Sequence, residues 1–343
     1  MNLTLKKNVY AGLRRLGVYR FLRWWHRKQA VILTYHGVIS NGDDSYLNRN
    51  SLSAEMFDQQ MAYLKRHYHI MSLPELVRRL VAREPLPPYA LVITFDDGFY
   101  NNYAVAAPIL RKYDLPATIF LTTAFINSPQ LGLWTERVDW LLQTATTAGL
   151  AFAMDGEVQH LALQTTRDRI IASDLVRGYL KRLPPKAREE AIAKLAEEIG
   201  VVRDLDGGVA ERYAFLTWDQ VREMQQWRIS FGSHTHTHSI MSGLSLAEAH
   251  FELNESRHLI ESELGAPCTI FSYPNGSARD FGKRDIELLR KLGFVAATSQ
   301  LPGFNDHKTN LYALRRINIS RHRDFNYFLA KISGMHSHVS YKA

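Results

Sequence analysis

The sequence predicts an α/β fold, a barrel of seven or eight parallel strands with one mainly helical insertion, and three observations lead there. Short apolar runs alternate with helical patterns along most of the 343 residues, the rhythm of strand–helix units in a parallel sheet. Seven strand-like runs recur: Ala30–Tyr35, Ala90–Phe95, Ala117–Leu121, Ile229–Phe231, Cys268–Ser272, Phe294–Thr298 and Tyr312–Ile319. Residues able to carry chemistry (His36, Asp96, Asp97, His234, Pro274 and Asn275) follow four of these runs directly. A parallel barrel gathers its active residues at those strand ends.

Taken in order, residues 1–28 form a separate arm. They contain Lys6, Lys7, Arg14, Arg15, Arg20, Arg23, Arg27 and Lys28 and no acidic residue. The whole chain is also +8, so the rest is neutral, which argues against a nucleic-acid enzyme with a charged groove. Val18, Phe21, Leu22 and Trp25 recur at helical spacing opposite Arg20, Arg23 and Arg27. Val9, Leu13 and Leu16 make a similar face before Gly17. Such a helix suits either an anionic lipid surface or the flank of the barrel, and the sequence leaves both open.

The barrel begins with the Ala30–Tyr35 strand, then a helical pattern over Ala54–His67. After Ala90–Phe95, a helix over Asn102–Tyr113 is stopped by Asp114-Leu115-Pro116. Residues 134–215 then break the rhythm. This span opens on Trp134 and Trp140, carries a charged helix at Pro185–Ile199, and ends in the turn signal Asp204-Leu205-Asp206-Gly207-Gly208. It reads as a solvated helical insertion, with a lid or acceptor-recognition element as the functional alternative. Helices at Leu246–Leu264 and Arg284–Leu292 resume the alternation.

A chain of this length with 46% apolar residues buries a large core in one barrel. The single Cys268 excludes an intrachain disulfide. No run reaches the roughly 18 apolar residues of a membrane span, and the N-terminus shows no apolar signal-peptide core. The expected location is therefore the cytoplasm, with the arm allowing peripheral contact at the inner face of a bacterial membrane.

Two segments carry the chemistry: Thr94-Phe95-Asp96-Asp97-Gly98 and His234-Thr235-His236-Thr237-His238. The first delivers adjacent carboxylates to a strand end, pointing apart by strand alternation. In the second, His234 and His238 stand four apart, which on a helical turn aims both imidazoles one way. One carboxylate and two imidazoles leave room for water and substrate on a catalytic divalent metal. Alone, Asp-Asp-Gly is most often an Asx-type turn and alternating histidines a solvated loop. Their joint placement at strand ends of one sheet favours a site.

With these motifs the chain resembles the polysaccharide deacetylases of the NodB homology type, carbohydrate esterase family 4. The family's T-F-D-D-G and H-[ST]-x-x-H segments match the two above, and Phe271-Ser272-Tyr273-Pro274-Asn275-Gly276 matches a third in reduced form. Leu33-Thr34-Tyr35-His36-Gly37-Val38 is similar to the start of the branch acting on exopolysaccharides. The resemblance covers residues 29–133 and 216–320. It implies a distorted (β/α) barrel and metal-dependent removal of N-acetyl groups from a saccharide or glycolipid. It further implies Asp97, His234 and His238 as ligands of Zn²⁺, with Co²⁺ or Ni²⁺ as substitutes. Asp96 becomes the general base, and the backbone N–H of Asn275 an oxyanion donor.

Two departures from the family pattern matter. The Arg that usually tethers the base is Ser272 here, and Arg316 is the expected replacement, pairing with Asp96 and keeping it ionised. The usual C-terminal proton-donating His is absent from Leu314-Arg315-Arg316-Ile317-Asn318. His36 is the expected general acid, with His307 in reserve, and His236 is expected to point away from the metal. Trp134, Trp140, Tyr100 and Tyr273 are candidate sugar platforms. Two rival readings are an amidase acting on a cyclic imide-like, non-sugar amide, and a non-catalytic carbohydrate-binding or membrane scaffold. Retention of all three ligands and of Asp96 argues against the second.

Overall fold

The computed structural model describes residues 3–40, 50–128, 132–200, 214–319 and 324–335; the turn expected at residues 204–208 lies outside them. Residues up to Asn41, Asn50–Ile126 and those from Leu216 onward make one compact unit, and Asn127–Phe215 make a second.

The strands of the first unit are β1 (Val31–Tyr35), β2 (Gly37–Ile39), β3 (Ser51–Ser53), β4 (His69–Ile70), β5 (Ala90–Phe95) and β6 (Ala117–Leu121). The hairpin of the second unit, β7 (Gly149–Met154) and β8 (Glu157–Ala162), interrupts them, and β9 (Ile229–Ser233), β10 (Ile270–Ser272), β11 (Ala296–Thr298) and β12 (Ile317–Asn318) complete the first. The main sheet runs β11-β10-β9-β6-β5-β1-β12, with β4 beside the start of β5, and its pairings are parallel. All seven expected runs supply its path. The last is much shorter than expected: Tyr312 lies in a 3-10 turn, Leu311–Ala313, and only Ile317–Asn318 pairs as strand.

Alternation along the strands sorts two cores. Val31, Leu33, Tyr35, Leu91, Ile93, Phe95, Ile119 and Phe271 face the helices. Ile32, Val92, Phe120, Ile270, Ala296 and Leu314 form an inner cluster with the Leu73–Val81 helix. A side chain at Gly232 would collide with Phe120 at 2.8 Å and Ile270 at 2.9 Å, so the inner cluster depends on that glycine. The two sheet edges meet through a Thr298–Leu314 bridge, with Ser299 N–H donating to the Leu314 carbonyl at 2.8 Å. The barrel is thus distorted at this seam.

Local signals set the helices. Ser53 caps Ala54–His67, and Ser245 with Glu248 makes a capping box for Leu246–Leu264. The expected helix over Asn102–Tyr113 instead opens as a π-helix, Asn102–Ala106, before Ala107–Lys112. That wider turn follows the Asp-Asp-Gly segment directly, a setting common for such insertions.

The arm packs on its own unit. Tyr19 is buried, Tyr10 and Leu13 pack on the same core, and Arg23 donates to the Tyr63 hydroxyl at 3.0 Å. Arg23 therefore does not stand on the outer face, where the helical wheel placed it. The guanidinium takes Tyr68 and Tyr89 within 6 Å of ring centroids instead. The outer face carries Leu16, Phe21, Trp24 and Trp25, from 47% to 80% exposed.

The second unit is mainly helical, as expected, with one hairpin that the sequence reading did not identify. Around the β7–β8 antiparallel hairpin lie helices Trp134–Thr144, Thr166–Leu180 and Pro185–Ile199, sharing a core that includes Val138, Leu142, Phe152, Val176 and Leu195. The hairpin turns at Asp155-Gly156, both with positive φ. That Asp-Gly pair between alternating residues was the sequence signal for it.

Candidate metal and catalytic site

The inward-facing positions of the barrel strands, continued past the strand ends, build the site. On β5 the inner row runs Val92, Thr94, Asp96; on β1, Ile32, Thr34, His36; on β9 it reaches His234 through Gly232; on β11 and β12 it reaches Gln300 and Asn318. Two tight turns then bring in the remaining groups. Asp97 has φ 77° and Gly98 φ 82°, so the turn, and not strand alternation, separates the two carboxylates. A side chain at Gly98 would also meet Leu121 at 3.0 Å. In the histidine segment, Thr235 has φ 66° and His238 φ 61°. The segment is therefore a strained loop and not the helical turn its spacing suggested. A left-handed β-branched residue persists only where its surroundings hold it.

These turns place Asp97 Oδ1 3.3 Å from His238 Nε2 and 3.5 Å from His234 Nε2. The three potential ligand atoms lie within 4.8 Å of one another. For bonds of roughly 2.0–2.1 Å, a tetrahedral zinc site has ligand–ligand edges of about 3.3 Å. Asp97 Oδ1 is buried without a hydrogen-bond partner among the described residues, and a cation there would take its lone pair. His234 Nδ1 lies 2.7 Å from the Ser272 carbonyl; donating there fixes the tautomer that frees Nε2 as a ligand. The residues fit a divalent metal. Burial pushes the Asp97 carboxyl up, but the imidazoles of His234 and His238 and the charge of His36 outweigh it and hold the group well below the usual carboxylate range.

Asp96 sits beside this cluster, 2% exposed. Arg316 is itself 1% exposed. Its Nη1 donates to Asp96 Oδ1 at 2.7 Å and its Nη2 to Oδ2 at 2.8 Å. Nη2 also donates to Ser272 Oγ at 2.9 Å, and Nε to the Ser299 carbonyl at 2.9 Å. The guanidinium reaches Asp96 from β12, and the small Ser272 side chain is one of its acceptors. Burial alone raises the Asp96 pKa; Arg316 with His234 and His36 reverses this, leaving it below its ordinary value. The sequence reading missed Gln300, whose Nε2 donates to Asp96 Oδ2 at 3.3 Å while its Oε1 is buried and unpartnered. Its signal was positional, two residues past β11 on the inner row.

His36 is half-buried at the end of β1. Its carbonyl accepts from Asn102 Nδ2 at 2.7 Å, and its Nδ1 is buried without a partner among the described residues. Asn275 is exposed in a left-handed turn, φ 58°, past β10 at the same barrel end. His236 bonds Thr123 Oγ1 through Nδ1 at 3.0 Å and lies outside the ligand cluster. His307 is a correction. Asn305 pairs with Ala30, ahead of β1, and Gln29 bonds Asp306 at 3.3 Å. In a parallel barrel the loop before a strand returns to the opposite end, so His307 is remote from the site. Tyr273 is also excluded as a sugar platform, being fully buried and stacked on Phe281 at 3.9 Å.

The sequence profile of the family described as Polysaccharide deacetylase matches residues 83–177 and 186–297. It includes the Asp-Asp and histidine segments but neither His36 nor Arg316. The Bacillus subtilis (strain 168) protein described as "Putative polysaccharide deacetylase YxkH" is 22% identical over 305 residues, 89% of this chain and 76% of that protein. The poly-beta-1,6-N-acetyl-D-glucosamine N-deacetylase of Escherichia coli (strain K12) is 26% identical over 106 residues, 31% of this chain and 16% of that one. Among solved structures, Streptococcus pyogenes deacetylase PplD, in complex with acetate, aligns with TM-score 0.58 at 20% identity, covering 89% of this chain and 98% of that one. IcaB from Ammonifex degensii aligns at 0.57 and 17%, covering 89% and 97%. These structures share the fold; the profile, spanning more than half of the sequence, shows that the chain belongs to the polysaccharide deacetylase family.

Proposed function

We propose that the protein removes acetate from N-acetylated sugars of an exopolysaccharide of the poly-β-1,6-N-acetylglucosamine kind, or of its oligosaccharide or lipid-linked forms. The observation that carries this reading is a buried, Arg-paired carboxylate, Asp96, beside the three-residue cluster of Asp97, His234 and His238. Zn²⁺ suits that donor set. Bound there, it supplies Lewis acidity toward the acetyl carbonyl and acidifies water. Asp96, kept ionised by Arg316, takes the proton of the attacking water. His36 donates a proton to the departing amine, and the Asn275 N–H stabilises the developing oxyanion. The expected result is acetate release from N-acetylglucosamine oligomers or lipid-linked acetamido sugars, abolished by chelator and restored by Zn²⁺. Release that is insensitive to metal removal sinks the mechanism. Turnover confined to cyclic imides assigns the chain to the rival amidase.

We propose also that the protein works at the inner face of a membrane, held by the outward face of its arm. Leu16, Phe21, Trp24 and Trp25 are exposed there, together with exposed Arg15, Arg20 and Lys28. Docking on the barrel and contact with lipid would use different residues, so the docked arm keeps a face available to lipid. Aromatic side chains next to unopposed cations match an anionic interface. The joint change Phe21→Ser, Trp24→Ser and Trp25→Ser is expected to abolish sedimentation with phosphatidylglycerol vesicles and to leave soluble-substrate turnover unchanged. Wild-type protein that ignores such vesicles at low salt overturns this role.

A further inference from the structure

The strained loop between the two histidine ligands needs something to hold it, and the ligands themselves do not. Thr235 and His238 both occupy left-handed conformations, which L side chains rarely adopt. Between them, the backbone N–H groups of His236 and Thr237 both donate to one oxygen of Glu252, each at 2.8 Å. The other carboxylate oxygen accepts the Thr237 hydroxyl. Glu252 is only 6% exposed. It is carried by the Leu246–Leu264 helix, a continuous element packed on β9 through core residues such as Leu253.

We propose that Glu252 is the positioning residue of the metal site. Its carboxylate clamps the loop at its midpoint and so fixes the two imidazoles toward Asp97. Three donors converge on one rigid carboxylate, and a free loop would relax its left-handed residues and swing His238 off the cluster. His234 is secured separately by the Ser272 carbonyl, whereas His238 Nδ1 is buried with no partner among the described residues. The clamp therefore acts chiefly on His238. An outer carboxylate that orients a metal ligand typically accounts for roughly 10–100-fold in metal affinity.

The test measures Zn²⁺ affinity of the full chain by chelator competition, with no substrate present. Glu252→Ala is expected to weaken binding about 10–100-fold. Glu252→Gln, which keeps an acceptor for the two N–H groups, is expected to recover most of that loss. Leu253→Ala is the comparison, since it removes a fully buried side chain of the same helix without touching the loop. It should lower Tm and leave Zn²⁺ affinity within a few-fold. Equal weakening in Leu253→Ala and Glu252→Ala would reduce Glu252 to general stability, and unchanged affinity in Glu252→Ala overturns the clamp outright. The inference rests on the Asp97–His234–His238 metal site. Absence of stoichiometric Zn²⁺ in wild-type protein overturns that site and the clamp together, a result distinct from either of the others.

Discussion

Asp96→Asn is expected to lower kcat by roughly a hundred- to ten-thousandfold while Zn²⁺ stays bound, because a general base is lost and no ligand is. The structure adds a second consequence that the motif alone does not show. Asp96 is also the counter-ion of Arg316, which is buried and bonded to both carboxylate oxygens. Removing one partner of a buried pair strands the other, typically at about 3–5 kcal/mol, so the single variant should lose stability as well as activity. The double variant Asp96→Asn with Arg316→Gln removes the stranded charge. It should regain much of the Tm and remain inactive, which separates the missing base from misfolding. Near-wild-type turnover in a folded, Zn²⁺-loaded Asp96→Asn protein would take Asp96 out of the proton transfer.

His36→Ala should cost about a hundredfold or more in kcat on an N-acetyl amide substrate, the usual scale for a lost general acid. The loss should be far smaller on an activated aryl acetate, whose leaving group needs no proton. Three features favour this assignment. The residue ends the inner row of β1 beside that of β5, which carries Asp96, its backbone is held by Asn102, and its Nδ1 has no partner among the described residues. Asn318, on the inner row at the end of β12, is an amide and cannot donate a proton in catalysis. Equal losses on amide and ester would make His36 structural, or place it on the oxyanion side.

Much of this was legible because the relevant physics is local and periodic. Apolar runs bounded by turn residues gave the seven strands of the barrel path, and the inward row of each strand carries on past its end to His36, Asp96 and His234. The ligand types were set by the motif, since carboxylate and imidazole at strand ends are what a catalytic divalent metal needs. Where the reading failed at the last strand, a non-local pairing decided the outcome. Tyr312 lost its strand because residues 311–316 are spent bridging β11 at the seam. The mainly helical insertion contains a hairpin whose Asp155-Gly156 turn was overlooked.

By itself, then, the sequence determined the fold class, the Asp97, His234 and His238 cluster and the Asp96 carboxylate beside it, because each is written in residues adjacent in the chain or repeating with a fixed period. Only the tertiary structure decided how those residues are aimed and held. Gln300 meets Asp96 across 204 positions and Glu252 grips a loop from a different element, while the Arg316–Asp96 pair, 220 positions apart, was expected from the resemblance and only its two-pronged geometry was not. It also decided that the arm's arginines divide between the barrel and solvent, and that His307 lies at the wrong end. Such contacts depend on how a curled sheet brings distant strand ends together, and no spacing in the chain encodes that distance.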